Sequence, residues 1–243
     1  MSRASFMIRF GYFGLFFHGL QPQKDIPTAG GTLRDLITRA AGQPPKALCF
    51  AARTDKGVHA IGNVATFWFK EPFDTQSFLK KIQSEQSGLC NIQCLKVAKN
   101  IHARGSALSK HYRYVLNSDP ETSWEIVPKL NLKAMQKALN YLMGKHDFSS
   151  FRASRCSAGS PIKTIYSASL SLPFYNQGIC IDLEGDAFLR QMIRILVGVL
   201  VEVGTGLRKP EDVLAILDSK NRQTAGITAP AHGLTLVEVK IKM

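Results

Sequence analysis

The segment ARTDKGVHA, residues 52–60, sets one carboxylate, Asp55, in a short polar loop between two apolar runs. The runs are ALCFA at 47–51 and VATFWF at 64–69, both of strand character, so Asp55 stands at a strand end, where rigid backbone holds it. Beside it are a guanidinium at Arg53, a hydroxyl at Thr54, an ammonium at Lys56 and a permissive backbone at Gly57. An acid among cations suits chemistry on a polyanion. The same letters also make an ordinary hairpin turn, because Asp-Lys-Gly is good turn composition.

A second set begins at Ile101, in IHARGSALSKHYRYVL, where Arg104, Lys110, His111 and Arg113 interleave with Tyr112 and Tyr114. Cations hold phosphates and rings stack on unstacked bases, which is how single-stranded or flipped nucleotides are gripped. A solvated strand edge explains the same residues. Strand alternation puts Tyr112 and Tyr114 on one face and Arg113 on the other, so only one of the two sets needs to meet a ligand.

The third set lies in AFLRQMIRILVGVLVEVGTG, where Arg190 and Arg194 are one helical turn apart and Phe188, Met192, Ile195, Leu196 and Val199 form an apolar face. Arg194 sits among Ile193, Ile195 and Leu196. A guanidinium there either pairs with a carboxylate such as Asp55 or extends to solvent. The segment GKHDFSSFRAS, residues 144–154, offers His146, Asp147 and Arg152. Adjacent residues rarely aim at one point and no serine occupies a nucleophile elbow, so this segment reads as a structural turn.

Composition narrows the class. The chain has 243 residues, 45% of them hydrophobic, with 31 basic against 18 acidic residues, a formal charge of +13 and a pI near 9.7. That describes a globular protein with a phosphate-rich partner, nucleic acid first. Cys49, Cys90, Cys94, Cys156 and Cys180 are odd in number and form no CxxC pair, which argues against disulfides and structural zinc. The scattered histidines, without clustered carboxylates, make no metal site, and the Gly pairs lack the spacing of a nucleotide-binding loop, so no metal and no cofactor are expected. Arg9 interrupts the apolar start and Glu202 the longest later apolar stretch, so neither a signal peptide nor a membrane span is expected, and the reading is cytoplasmic.

Periodicity predicts strands near 5–12, 47–52, 63–69 and 92–98, with helices near 32–41 and 74–86. The order is βαββαβ. It recurs with strands near 111–117, 163–172, 178–184 and 235–242 and helices near 132–143 and 187–203, plus an added helix near 209–218. Residues 27–32 and 154–161 read as loops. The fold class is α+β: two ferredoxin-like halves, 1–105 with the Asp55 loop and 106–243 with the added helix, whose antiparallel sheets flank a basic central cleft.

Taken in order, YFGLFFHG, ARTDKGVHA, HARGSALSKHYRY, GKHDFSSFR, FLRQMIRILVGVLVEVGTG and TAPAHGLTLVEV resemble the tRNA pseudouridine synthase A family over nearly the whole chain. The resemblance implies isomerisation of uridine to pseudouridine in the tRNA anticodon stem-loop, among positions 38 to 40, by a homodimer without cofactor or metal. Asp55 matches the family's catalytic aspartate, which acts as nucleophile at the sugar or as base at C2′. Arg194 matches the arginine that pairs with it, Tyr112 the active-site tyrosine that stacks on the target base, and Arg53 the arginine that aids base extrusion. Arg104 matches a phosphate contact. Lys110 and Lys56 are further candidates for RNA contact.

The chain departs from the family pattern at Ala52 in place of Gly, Lys56 in place of Ala, Phe13 and Leu20 at the early Asp and Trp positions, and in lacking an Asn-Leu-Pro segment around 84–91. These positions bear on substrate range and spare the proposed reacting set. The alternative function is a non-catalytic RNA-binding module or tRNA chaperone on the same fold. Metal-dependent RNA cleavage needs more convergent carboxylates than the chain supplies.

Overall fold

A computed structural model describes residues 3–70, 74–85, 87–172 and 178–243. The elements run β1 (Arg3–Tyr12), α1 (Ala29–Ala41), β2 (Lys46–Phe50), β3 (His59–Lys70), α2 (Thr75–Ser84), β4 (Leu89–Val97), β5 (Ala107–Leu116), α3 (Leu132–Leu142), β6 (Gly144–Asp147), β7 (Ile162–Ser171), β8 (Ile179–Gly185), α4 (Met192–Gly204), α5 (Asp212–Ser219) and β9 (Leu234–Ile241). Single 3-10 turns lie at Gly14–Phe16, Ser149–Phe151 and Arg222–Ala225. The composition of elements is α+β. The chain divides into two compact units, residues 1–110 with 235–243, and residues 111–234.

In the first unit β1 pairs antiparallel with β3 on one side and β4 on the other, and β2 pairs antiparallel with β3. The closing strand β9 joins β3 in parallel, His59 opposite Thr235 and Ala60 opposite Leu236, so this sheet is not wholly antiparallel as expected. The strand alternation of β1 puts Phe6, Ile8, Phe10 and Tyr12 on one face, all 2% exposed or less. Phe6 and Phe78 of α2 are in contact on that face, with ring centroids 5.4 Å apart, and α1 and α2 pack on each other and on β4. On the opposite face Thr66 accepts a hydrogen bond from the Ala103 N–H (2.9 Å), which fastens the turn that carries Arg104.

Phe78 also meets Phe69 and Phe67, at 5.8 Å and 6.2 Å, in edge-on geometry. Leucine would keep most of the volume and lose the ring pairs, so Phe78→Leu is expected to lower stability by about 1–2 kcal/mol in urea unfolding.

In the second unit β7 pairs antiparallel with β8 and with β6, and β5 lies on the far side of β8. The helix α4 is buried nearly all round, with Ile195, Leu196, Val197 and Leu200 fully inaccessible. A Cβ at its Gly198 would stand 2.2 Å from the Ile227 carbonyl oxygen, so glycine sets how closely the 227–229 segment lies on the helix.

Several boundaries differ from the sequence reading, each for a local reason. Residues 29–31 belong to α1 and not to a loop: the Thr28 side chain caps the helix by accepting from the Gly31 N–H at 3.1 Å. The helix read from 187 starts only at Met192, because Gln191 ahead of it takes a left-handed φ of 58°. The segment at 144–147 forms the short strand β6 beside β7. The helix near 74–86 begins after Asp74, which caps it through the Ser77 N–H (3.0 Å), and Gln86 lies outside the described residues.

Candidate active site

The Asp55 loop is a tight turn closed by the Val58 N–H donating to the Asp55 carbonyl (3.2 Å), with Gly57 at a φ of +83°. Asp55 is half-buried, whereas Arg53 and Lys56 on either side are exposed. What fixes this loop is a set of buried polar groups behind it. Asn63 of β3, fully buried, accepts from the Val64 N–H at 2.8 Å through its side-chain oxygen. Its amide therefore points the other way, to the Ala52 carbonyl (3.1 Å) and the Tyr12 phenol oxygen (3.4 Å). The Tyr12 hydroxyl also shares a hydrogen bond with the Thr54 hydroxyl at 2.7 Å, one residue before Asp55.

Two backbone approaches complete the cradle. Gly14 gives its N–H to His59 Nδ1 (3.1 Å), so that nitrogen is unprotonated and the ring proton is on Nε2. A Cβ at Gly14 would be 2.4 Å from the Val58 carbonyl oxygen. Gly19, at a φ of +86°, runs beside the other flank of the loop, and the Leu20 N–H donates to the Thr54 carbonyl (3.2 Å). Phe13 packs on the His59 ring with centroids 4.5 Å apart.

Burial pushes the Tyr12 phenol up from its ordinary value of 10.0 to about 12, and the hydrogen bonds to Thr54 and Asn63 only partly offset this. A raised folded value means that the fold favours the protonated phenol. Its contribution is complete below pH 10 and is lost as the pH climbs toward about 12. Alkaline unfolding is therefore expected to steepen over that window, and Tyr12→Phe to flatten it, as followed by circular dichroism against pH.

Arg104 and Lys110 also belong to the first unit. Arg104 is exposed on the turn fastened to Thr66, and Lys110 is half-buried in β5. The first unit thus brings Asp55, Arg53, Lys56, Arg104 and Lys110 into one body.

The second unit holds Tyr112 and Arg194. Alternation in β5 is as expected: Tyr112 and Tyr114 are buried and Arg113 exposed. Tyr112 meets Phe188 edge-on at 5.4 Å. His111 and Arg113 turn to the other face and share Asp182, at 2.6 Å and 3.0 Å. That pairing raises the guanidinium of Arg113 above its ordinary value.

Arg194 is half-buried and clasped to Ala229 twice: its Nε donates to the Ala229 carbonyl (2.7 Å), and its own carbonyl accepts from the Ala229 N–H (3.0 Å). This ties the TAPAHG motif to α4. The Tyr114 hydroxyl holds the next residue by donating to the Pro230 carbonyl (2.9 Å), and burial raises that phenol well above its usual range, with the Arg194 charge opposing.

The GKHDFSSFRAS segment is not a turn throughout: it opens with strand β6, and the turn proper is the 3-10 turn at Ser149–Phe151. The Asp147 carboxylate accepts from the Ser149 hydroxyl (2.6 Å) and N–H (2.9 Å), which holds it below the usual carboxylate range. Arg152 donates to the Cys156 and Ala158 carbonyls (2.6 Å and 3.1 Å), and the Ala153 N–H donates to the Arg190 carbonyl (3.1 Å). No helix among the described residues is long and apolar enough to cross a membrane.

Tyr12, Asn63, His59, Gly14 and Gly19 are the support that sequence reasoning did not single out. The available signal was Asn63, an amide in the apolar run IGNVATFWF, since a buried polar group demands partners.

Residues 138–241 match the family model described as tRNA pseudouridine synthase. Proteins named tRNA pseudouridine synthase A are similar over nearly all of the chain. The protein from Syntrophotalea carbinolica is 35% identical, covering 94% of this chain and 92% of its own length. Those from Acetivibrio thermocellus and Anaplasma phagocytophilum are 37% and 36% identical, each covering 94% of this chain and 96% of the relative. Identity at this level over almost the full length of both partners shows that the chain belongs to the tRNA pseudouridine synthase A family.

Proposed function

We propose that this chain, an enzyme of the tRNA pseudouridine synthase A family, isomerises uridine to pseudouridine in the anticodon stem-loop of tRNA at one or more of positions 38 to 40. The observation that carries the reading is the similarity, over 94% of the chain, to proteins named tRNA pseudouridine synthase A. The held loop of Asp55 and the formal charge of +13 support it.

In this reading the C1′–N1 bond of the uridine breaks, the uracil turns within the pocket, and C5 bonds to C1′. The C5 proton leaves to solvent and N1 gains one, so nothing is consumed. Asp55 acts at the sugar as nucleophile, or at C2′ as base. Arg194 keeps it ionised and oriented, Tyr112 stacks on the uracil, and Arg53 supports the extruded nucleotide. Arg104, Lys110 and Lys56 hold backbone phosphates. The enzyme acts as a cytoplasmic homodimer and needs neither metal nor cofactor. The test is to incubate the protein with unmodified tRNA transcripts carrying uridine at 38, 39 and 40 and to map pseudouridine by carbodiimide-dependent primer stops. Stops at those positions are expected. Stops only elsewhere would refute the site assignment.

A further inference from the structure

Beside the Asp55 loop the first unit contains a depression of about 320 Å³ whose rim carries three guanidinium groups, from Arg34 of α1, Arg53 and Arg104. Its floor is apolar and includes Pro22, Leu48 and Phe50. All three arginines are exposed at the surface. Among the described residues, the one carboxylate paired with any of them is Asp35, 3.4 Å from Arg34, and both partners of that pair are more than half exposed, so water screens it.

Three like charges around one small hollow repel one another, and an anion entering it relieves that repulsion. A planar guanidinium offers paired N–H donors that match phosphate oxygens.

Arg34 reaches this rim because of a glycine. Gly30 lies one helical turn earlier on the same face of α1. A Cβ there would stand 2.4 Å from the Leu20 carbonyl oxygen and 2.9 Å from Phe50 Cζ. Only glycine therefore lets this face of α1 lie against Phe50, and the next residue along the face is Arg34.

We propose that Arg34, Arg53 and Arg104 together hold one phosphodiester of the RNA substrate, with its ribose over the apolar floor, and that Arg34 is a substrate-binding residue of this chain. The proposal rests on the reading of tRNA as substrate, and its test measures binding without turnover. Filter binding of a tRNA transcript is compared for wild type, Arg34→Ala, Arg34→Lys and Arg39→Ala across about 50 to 200 mM salt. Arg39 is the control, an exposed arginine of the same helix that pairs instead with Glu85 at 2.6 Å.

Arg34→Ala is expected to lose about tenfold in affinity at low salt. The slope of log affinity against log salt should fall by about one. Arg34→Lys should keep the slope while losing part of the affinity, and Arg39→Ala should match wild type in both. Circular dichroism should show an unchanged fold, since alanine is a strong helix former at an exposed position. An Arg34→Ala protein that binds like wild type, or that loses no more than Arg39→Ala, would overturn the site. Weakened binding by Arg34→Ala alongside a wild type that forms no pseudouridine would sink the activity and leave the phosphate site standing.

Discussion

Asp55→Asn is expected to abolish pseudouridine formation, lowering the single-turnover rate by at least about 10⁴-fold. The amide has nearly the carboxylate's shape but can neither form an ester at the sugar nor take a proton from C2′. The fold should survive, because the turn closes through the Asp55 carbonyl, Thr54 is anchored by Tyr12, and the Ala52 carbonyl by Asn63, contacts that an asparagine side chain leaves in place. Removing one negative charge also leaves tRNA affinity equal or higher. The check is a single-turnover assay with enzyme in excess, beside filter binding and a thermal melt. Activity within tenfold of wild type would show that the carboxylate is not the reacting group.

Gly14→Ala is expected to lower the turnover rate by about 10- to 100-fold while tRNA affinity stays within a few-fold of wild type. Gly14 does not occupy a left-handed conformation, so the substitution is allowed by its own backbone. The difficulty is contact: the new methyl would lie 2.4 Å from the Val58 carbonyl oxygen and 2.6 Å from the Gly57 carbonyl carbon. Both are backbone atoms, which cannot rotate away as a side chain can. Either the 3-10 turn at Gly14–Phe16 lifts off, breaking the N–H bond to His59, or the Asp55 loop shifts. Misplacing a reacting group by a fraction of an ångström to one ångström costs rate more than binding. Gly159, where an added Cβ meets nothing within 4 Å, is the control, and Gly159→Ala should behave as wild type. A Gly14→Ala enzyme with unchanged turnover would mean that the loop's position does not depend on this approach.

The elements that were plain in the sequence are those whose patterns are long and self-contained. The strand at β1 and the helix at α3 show through their periodicities, and the turn around Asp55 through its charged and glycine residues between apolar runs. The start of α1 was not, because Gly30 and Gly31 carry loop propensity, which the Thr28 cap and the close approach to Phe50 override. The start of α4 was hidden for the opposite reason. Residues 187–191 are helix-compatible in pattern, yet Gln191 takes the left-handed region and the Arg190 backbone is drawn to Ala153 and Cys156. The parallel placement of β9 on β3 joins residues far apart in the chain, and no local pattern encodes it.

The same holds for the candidate site. Asp55, Arg53 and Lys56 are legible as neighbours in one loop, and Tyr112 and Tyr114 as alternate residues of one strand. The groups that hold Asp55 come from β1, β3 and the 3-10 turn, so they became visible only with the fold. Arg34 is not legible in the sequence, where a lone arginine on a helix reads as a solvated face; what distinguishes it is the close approach at Gly30 and the two arginines that share its cavity.

The central claim is that Asp55 carries an isomerisation of uridine in tRNA, and the most direct measurement is tritium release from tRNA labelled at uridine C5. The wild-type protein is predicted to release one tritium to water for each pseudouridine formed, and Asp55→Asn to release none while still binding the tRNA. No release by the wild type on unmodified tRNA, or equal release by Asp55→Asn, would contradict the account.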